Sequence, residues 1–331
     1  MRWIAIVCLA GAICASACGQ AVSRDAALDS DHDGLTDVQE QALLRQFAPT
    51  FMISPTDCSS QPAEFEPSVL KPVVAAENDA IYGQAFPRAG HDGEVELHYY
   101  DLWRKDCGQQ GHDLDAEHVS VLVVRDKSGM WKAQYWYAAA HEDTVCDASQ
   151  IARAKALNAE ERGPRVWISS GKHGAFLAPA LCKHGCGADA CENEAAVSSG
   201  TIINLGEPSK PMNGAIWVDS PEWPLAEKMR RSDFSAERTA RLEQVPADEI
   251  AWANPGKRPA QAVILGGDAA LGGAATGVHA TGSALDTADE HYSNALDRAS
   301  SSTGNALGKA YRGVLKALGA AGSSSAKSAK K

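Results

Sequence analysis

The chain has 331 residues, a formal net charge of −11 and no basic stripe interleaved with aromatic residues. This acidic balance argues against a nucleic-acid partner, because proteins that neutralise phosphates present clustered Lys and Arg. The sequence also lacks a Gly-x-Ser-x-Gly elbow and a His-Glu-x-x-His motif, which removes two classes of hydrolytic enzyme.

The first 17 residues have the features of a secretory signal peptide. Arg2 precedes a short apolar run that is too short to span a bilayer as a stable helix, and the small residues Ala15-Ser16-Ala17 form a cleavage site. Cleavage there would leave Cys18 first, in a permissive bacterial lipobox. We therefore expect an extracytoplasmic protein, which is either secreted or held at the outer membrane or cell surface by lipidation of Cys18.

The segment 18–45 contains a twelve-residue pattern, 29–40, that matches an EF-hand-type calcium loop. Oxygen-bearing residues occupy the diagnostic positions, Gly34 permits the sharp turn, and a glutamate closes the loop. The alternative is an acidic linker after the signal peptide. A single loop of this kind is expected to brace the N-terminus. The predicted calcium ligands are Asp29, Asp31, Asp33, Leu35 through its carbonyl, Asp37 and Glu40.

A helix should follow this loop. Val38, Ala42, Leu43 and Phe47 have near-helical spacing, and Pro49 should end the helix.

The cysteines of the mature chain form an even set, and an exported protein usually oxidises such a set to disulfides. Their pairing is not readable from sequence. The alternative is a zinc site at Cys182, His184, Cys186 and Cys191, although these residues lack paired Cys-x-x-Cys spacing. The predicted disulfide cysteines are Cys58, Cys107, Cys146, Cys182, Cys186 and Cys191.

The middle of the chain is rich in Val, Ile, Tyr and Trp, and turn residues separate its apolar runs. Strands are predicted at 95–103, 119–125, 131–139, 165–169 and 200–204. The Ala-rich, charged stretch 148–162 predicts a helix or helical loop. The expected fold class is mainly β, an antiparallel β-sandwich with peripheral helices, preceded by the calcium loop and followed by a flexible tail.

A dense set of metal-binding side chains precedes the second of these strands. His112, Asp113, Asp115, Glu117 and His118 lie within a few residues of one another. Alternate residues of a strand share a face, so the three carboxylates point one way, and a bend at the preceding glycine would bring His112 round. This composition suits Mg²⁺, Mn²⁺ or Ca²⁺ better than zinc. The alternative is a row of solvated charges on an edge strand.

The stretch Gly111-His112-x-x-Asp115-x-Glu117-His118-Val119 resembles the GHRHDWEHV signature of the necrosis-inducing family of secreted cytolysins. It also resembles the GDWEHV signature of the related vacuolar-sorting-type domains. Asp113, Leu114 and Ala116 replace the arginine, second histidine and tryptophan of the longer signature. Upstream, 103–106 is similar to the family's aromatic-x-Lys-Asp segment, and 171–174 is similar to its Gly-Lys-His-Ala turn.

The resemblance covers roughly 47–223 and implies a necrosis-inducing-like β-sandwich domain, assigned to 46–262. It implies a central divalent-cation site built from Asp106, His112, Asp115 and Glu117, with His173 nearby. In that family the metal site is understood to read sphingolipid sugar headgroups. The replacement of the signature's tryptophan and second histidine is expected to affect the toxic activity of the family more than its fold.

Two functions follow from these patterns. The first is a metal-binding module that recognises a lipid headgroup or glycan, with membrane activity as a further expectation. The second is a metal-dependent hydrolase of an extracytoplasmic ester or phosphoester, in which His141, His173 or Glu117 is the candidate catalytic group.

The last segment, 263–331, is dominated by Gly, Ala, Ser and Thr and is predicted to be flexible. Within it, 306–318 can form a short basic amphipathic helix. Such a helix either lies on an anionic membrane or contacts its own domain or nothing.

Overall fold

The computed structural model describes residues 28–108, 111–145, 147–185, 189–197, 200–207, 210–221, 223, 229 and 232–258. The predicted signal peptide, Cys18, Cys146, Cys186 and the C-terminal tail lie outside these residues. In the described part of the chain, no helix combines the length and the apolar character needed to cross a bilayer.

The described chain is mainly β, as predicted. In chain order the strands are β1 Thr50–Ile53, β2 Ala63–Phe65, β3 Val74–Glu77, β4 Ala80–Pro87, β5 Glu94–Lys105, β6 Asp113–Arg125, β7 Trp131–Ala138, β8 Gln150–Arg153, β9 Arg165–Ile168, β10 Ala175–Phe176, β11 Ala195–Val197, β12 Thr201–Asn204, β13 Gly206–Glu207, β14 Lys210–Pro211 and β15 Ile250–Trp252. The helices are α1 Asp37–Gln46, α2 Pro179–Cys182 and α3 Ala236–Leu242.

A seven-stranded sheet has the order β12-β4-β5-β6-β7-β8-β15, and a four-stranded sheet has the order β10-β9-β1-β11. Most neighbours are antiparallel, but β12 with β4 and β1 with β9 run parallel. The long strands β5 and β6 pair along nearly their whole length. They form the centre of the large sheet and carry most of the residues discussed below.

One hydrophobic core contains residues of both sheets. Leu97 and Tyr99 of β5 and Val121 of β6 share it with Phe51 of β1 and Val166 of β9. All five are buried. The alternation of a strand therefore turns one face of β5 and β6 towards the small sheet.

The helix α1 is confirmed where the spacing predicts it. Thr36 caps its first turn, and a capping box with Gln39 satisfies backbone N–H groups there. Leu43 and Leu44 are buried in the core shared by the two sheets. Tyr99 Oη also donates to the Leu44 carbonyl at 3.0 Å. The N-terminal segment thus packs directly on the β domain.

The helix or helical loop expected over 148–162 is present only in its middle part, because a strand precedes it. The chain forms β8 first, followed by a single 3₁₀ turn, Ala154–Leu157. Gln150–Arg153 pairs with β7 on one side and β15 on the other, and Ile151 is buried with Phe234. Tertiary pairing therefore overrides the helical propensity of the alanines.

The structure contains the disulfides Cys58–Cys107 and Cys182–Cys191. The zinc site proposed around Cys182 and Cys191 is therefore wrong, because oxidised sulfurs are not thiolate ligands.

Candidate functional site

Acidic and basic side chains gather where β5 ends and β6 begins. We call this group the strand-end cluster. Its members come from the two strands, from the segment after β5, and from three segments that meet them. They are Asp101, Asp106, Asp115, Glu117, His141, Lys172, His173 and Asp189.

Strand pairing places three carboxylates on one face. Asp101 lies directly opposite Glu117, and Trp103 lies directly opposite Asp115. Directly opposite residues share a face, so Asp101, Asp115 and Glu117 all point towards the small sheet. Each is less than 10% exposed. The strand alternation predicted for Asp115 and Glu117 is therefore present.

Asp101 was not identified from the sequence. Its Oδ2 accepts a hydrogen bond from Trp103 Nε1 at 3.1 Å, whereas its buried Oδ1 has no hydrogen-bond partner among the described residues. Burial raises the pKa of Asp101 well above its ordinary value, and the nearby charges of Glu117 and Asp115 raise it further. A bound cation would oppose this shift, because it favours the ionised carboxylate.

His173 is enclosed within the cluster. Its ring stacks on Trp103 with centroids 4.1 Å apart, and its Nδ1 lies 3.1 Å from Asp115 Oδ2. The side chain is 0% exposed. His173 therefore orients and compensates Asp115 but has no direct route to a substrate.

His141 is more accessible, with a side chain that is 13% exposed. Its Nε2 lies 2.7 Å from Asp189 Oδ2. Burial alone would lower the pKa of His141, but the hydrogen bond and negative charge of Asp189 raise it overall. An imidazole held in this way can carry a proton near neutral pH.

Asp106 and His112 lie at the rim of the cluster. Lys172 Nζ donates to Asp106 Oδ2 at 2.9 Å, and His112 Nε2 lies 3.9 Å from the same oxygen. The His112 side chain is 57% exposed. An ion bound to Asp106 would therefore compete with the Lys172 ammonium.

Three residues at the cluster have an unusual backbone conformation. Leu114, His141 and His173 adopt positive φ angles of 61°, 51° and 54°. Residues with a side chain rarely adopt this conformation, and it recurs at functional sites that the surrounding fold holds in place. The turn 169–174 is also fixed, because Cys107 N and Gly108 N both donate to the Gly171 carbonyl.

The donor chemistry of Asp101, Asp115 and Glu117 fits a hard divalent cation, which prefers carboxylate oxygens. Neither these three residues nor the four predicted as a central site form one compact set: among the described residues, the groups whose ligand atoms lie within 4.8 Å of one another include none of them. Asp106, His112, Asp115 and Glu117 therefore stay predicted ligands, and Asp101 joins them as a candidate.

The last histidine of the motif points away from this cluster. His118 lies on the opposite face of the large sheet, where its Nε2 is 3.1 Å from Asp233 Oδ2. Ser120 Oγ donates to the same oxygen, and His98 Nδ1 lies 3.7 Å from it. The nearby positive charges of His118 and His98 lower the pKa of Asp233 although burial opposes this. This buried network attaches the segment around 233 to the sheet.

Comparison with known proteins gives structural similarity alone. No protein-family model and no curated protein matches the chain. NLPPya in complex with glucosamine is 18% identical, with a TM-score of 0.38, and the match covers 62% of this chain and 89% of that one. NLPPya in complex with mannosamine is 16% identical, with a TM-score of 0.37 and the same coverage.

A third similar structure is Necrosis and Ethylene inducing Protein 2 from the causal agent of cocoa's Witches Broom disease. It is 16% identical, with a TM-score of 0.34, and the match covers 57% of this chain and 83% of that one. At this level the similarity concerns the path of the backbone and not the chemistry of the site.

Proposed function

We propose that this chain is an exported binding module that uses a divalent cation at the strand-end cluster to recognise a lipid headgroup or glycan. The observation that carries the proposal is the buried carboxylate set Asp101, Asp115 and Glu117 on one face of two paired strands. Buried carboxylates in such proximity repel one another, so a bound cation would stabilise the set.

The rim of the cluster suits a polar ligand. His112 and Asp113 are exposed beside the buried carboxylates, and Lys172 is 14% exposed. A cation held by the inner oxygens would leave ligand positions for hydroxyl or phosphate oxygens, while the rim groups supply hydrogen bonds. Such a site would bind an oxygen-rich headgroup without catalysing a reaction.

Export is part of the proposal. The disulfides Cys58–Cys107 and Cys182–Cys191 are typical of oxidising compartments. They support the export predicted from the secretory signal, and a surface location would present the cluster to membranes or glycans.

Hydrolysis of an ester or phosphoester is the second candidate, and one observation favours it. His141 is oriented by Asp189 and lies near enough to Glu117 for that charge to raise its pKa. A general base of this type would act on water bound to the cation. The enclosure of His173 argues against it as the base, so of the two histidines only His141 fits this role.

Metal content and ligand titration test the proposal together. We would compare the wild-type protein with the double variant Asp115→Asn, Glu117→Gln by mass spectrometry, and then titrate glucosamine, mannosamine and anionic or glycolipid vesicles by calorimetry. The variant keeps the side-chain shapes and removes the charges. Asp92→Asn, at an exposed acid on the turn between β4 and β5, is the matched control.

We expect the double variant to lose one bound ion and at least tenfold in ligand affinity, while the control retains both. Metal content identical in all three proteins would contradict the proposal. Turnover of an ester or phosphoester by the wild type, abolished by His141→Ala with metal retained, would replace it with the hydrolytic function.

A further inference from the structure

A second group of acids lies far from the strand-end cluster, in the loop before α1. Ligand oxygens of Asp29, Asp31 and Asp33 lie within 4.8 Å of one another. Asp31 is only 1% exposed, although a loop acid is ordinarily solvated. Gly34 has φ +99° at the sharp turn, a conformation that disfavours a side chain.

Buried oxygens of this loop have no partner among the described residues. Both carboxylate oxygens of Asp31 and Oδ2 of Asp33 are in this state. Asp29 instead accepts from the backbone N–H groups of Asp33 and Gly34, which fixes the turn. Buried polar groups are nearly always satisfied, so these oxygens need a ligand.

Glu40 adds an independent observation, because it comes from α1 and not from the turn. It is 0% exposed, and its Oε2 accepts from Asn204 Nδ2 at 2.8 Å. Its Oε1 is buried without a hydrogen-bond partner, and the charges of Asp31 and Asp33 act on it. The sheet therefore holds one oxygen of Glu40 while the other remains available to the loop.

Positive charge does not neutralise this group. Among the described residues, no salt bridge involves Asp29, Asp31, Asp33 or Glu40. Lys210 approaches, but its Nζ donates to the Asp31 carbonyl at 2.8 Å and not to a carboxylate. A cleft of about 360 Å³ beside the loop is lined in part by Ser30, Asp37 and Lys210.

Strand pairing brings a further acid to this region. Glu207 lies on β13, half-buried and directly opposite Lys210 of β14, whose Nζ donates to the Asp31 carbonyl. Burial and the charges of Asp33 and Asp31 raise the pKa of Glu207 to about 8. The twelve-residue pattern 29–40 does not contain this residue.

We infer that Asp29, Asp31, Asp33 and Glu40 bind one calcium ion, and that Glu207 from β13 contributes to the same site. Carboxylates in this number on an irregular loop suit Ca²⁺, which accepts six to eight oxygens, better than Mg²⁺, which needs a small octahedron. Asp37 holds Ser30 through two hydrogen bonds and acts as a positioning residue. The ion thereby ties the N-terminal segment to the β13–β14 hairpin.

The test measures thermal unfolding of the full mature protein after chelation, during titration with CaCl₂ and separately with MgCl₂. We expect calcium at about 100 times its dissociation constant to raise the melting temperature by about 5 to 10 °C. An extracellular site of this type should half-saturate between about 0.1 and 1 mM. Magnesium should have much less effect.

Two variants separate a metal ligand from a structural residue. Glu40→Gln keeps the hydrogen bond from Asn204 and removes an uncompensated charge, so the calcium-free melting temperature should not fall while the calcium response is lost. Glu207→Gln should weaken calcium binding about tenfold with the calcium-free protein still folded. The number of calcium ions bound per chain is measured in the double variant Asp115→Asn, Glu117→Gln. Because this variant lacks two carboxylates of the strand-end cluster, the result does not depend on the proposed function.

A melting temperature that does not respond to calcium in the folded wild type would overturn the site. A calcium response retained by Glu40→Gln would overturn it as well. If Glu207→Gln leaves the calcium affinity unchanged, Glu207 is not part of the site, and the inference that the ion links the loop to β13 is wrong.

Discussion

The two acidic regions of the molecule compensate their charge in different ways. In the strand-end cluster, Asp106 is paired with Lys172, Asp115 with His173 and Asp189 with His141. In the N-terminal segment, Asp31 and Glu40 have buried oxygens without hydrogen-bond partners among the described residues. Basic side chains therefore lie beside several acids of the first region, whereas among the described residues none forms a salt bridge with Asp31 or Glu40 in the second.

The largest expected effect is in the strand-end cluster. His173→Ala should lower the free energy of unfolding by about 3 kcal/mol, because it removes a fully buried ring stacked on Trp103 and leaves Asp115 without this partner. Urea denaturation measures the change, with exposed His91→Ala as control. A loss equal to that of the control would show that His173 does not compensate the cluster.

The loop should produce a stability loss with rising pH when calcium is absent. Burial raises the pKa of Glu40 from 4.5 to about 8 and that of Asp33 from 3.8 to about 6. The folded state then binds more protons than the unfolded state between the ordinary and raised values, so stability falls as pH rises through this window.

We expect this loss to be on the order of 2 kcal/mol between pH 5 and pH 8, and saturating calcium should reduce it. Thermal or urea unfolding across this range, with and without chelator, measures it. Glu40→Gln should flatten the chelated curve. A wild-type curve that is equally steep with and without calcium would remove the distinction between the two regions.

Lys172→Met tests whether the internal cation competes with an external one. The variant should destabilise the protein by about 1.5 kcal/mol, because Asp106 loses a charged hydrogen-bond partner at 2.9 Å. It should also strengthen divalent-cation binding at the strand-end cluster several-fold. Lys127→Met, on the exposed turn between β6 and β7, is the control. Cation affinity unchanged from wild type would show that Lys172 occupies no part of the ion site.

The smallest expected effect has the opposite sign. Asp31→Asn should raise the stability of the calcium-free protein by about 1 kcal/mol, because it removes one of several buried like charges. Calcium should then stabilise the variant less than the wild type. Chemical denaturation in chelator measures the difference, and a loss of calcium-free stability would mean that Asp31 is compensated within the protein.

Patterns along single segments predicted much of this fold. The apolar runs located β5, β6, β7, β9 and β12, and the spacing of Leu43 and Phe47 located α1. The strand alternation of Asp115 and Glu117 was also readable, because neighbouring positions on a strand take opposite faces. The calcium loop and the central metal site themselves stay predictions.

Contacts between distant segments could not be predicted from the sequence. Asp101 lies in an aromatic strand, and only the register with β6 places it opposite Glu117. Glu207 is distant from Asp31 in the sequence and is brought near it only by the fold. The strand β8 replaces the start of the expected helix because β7 and β15 flank it. In each case the deciding partner lies elsewhere in the chain, where no local pattern records it.

The Cys58–Cys107 bond has a consequence for how two segments beside the strand-end cluster are held together. Cys58 follows Asp57, which accepts from Gly171 N, and Cys107 follows Asp106. A newly made chain with reduced thiols lacks this covalent link between the two segments and holds them by hydrogen bonds alone. Oxidation of this pair therefore adds a covalent constraint next to Asp106, at the edge of the strand-end cluster.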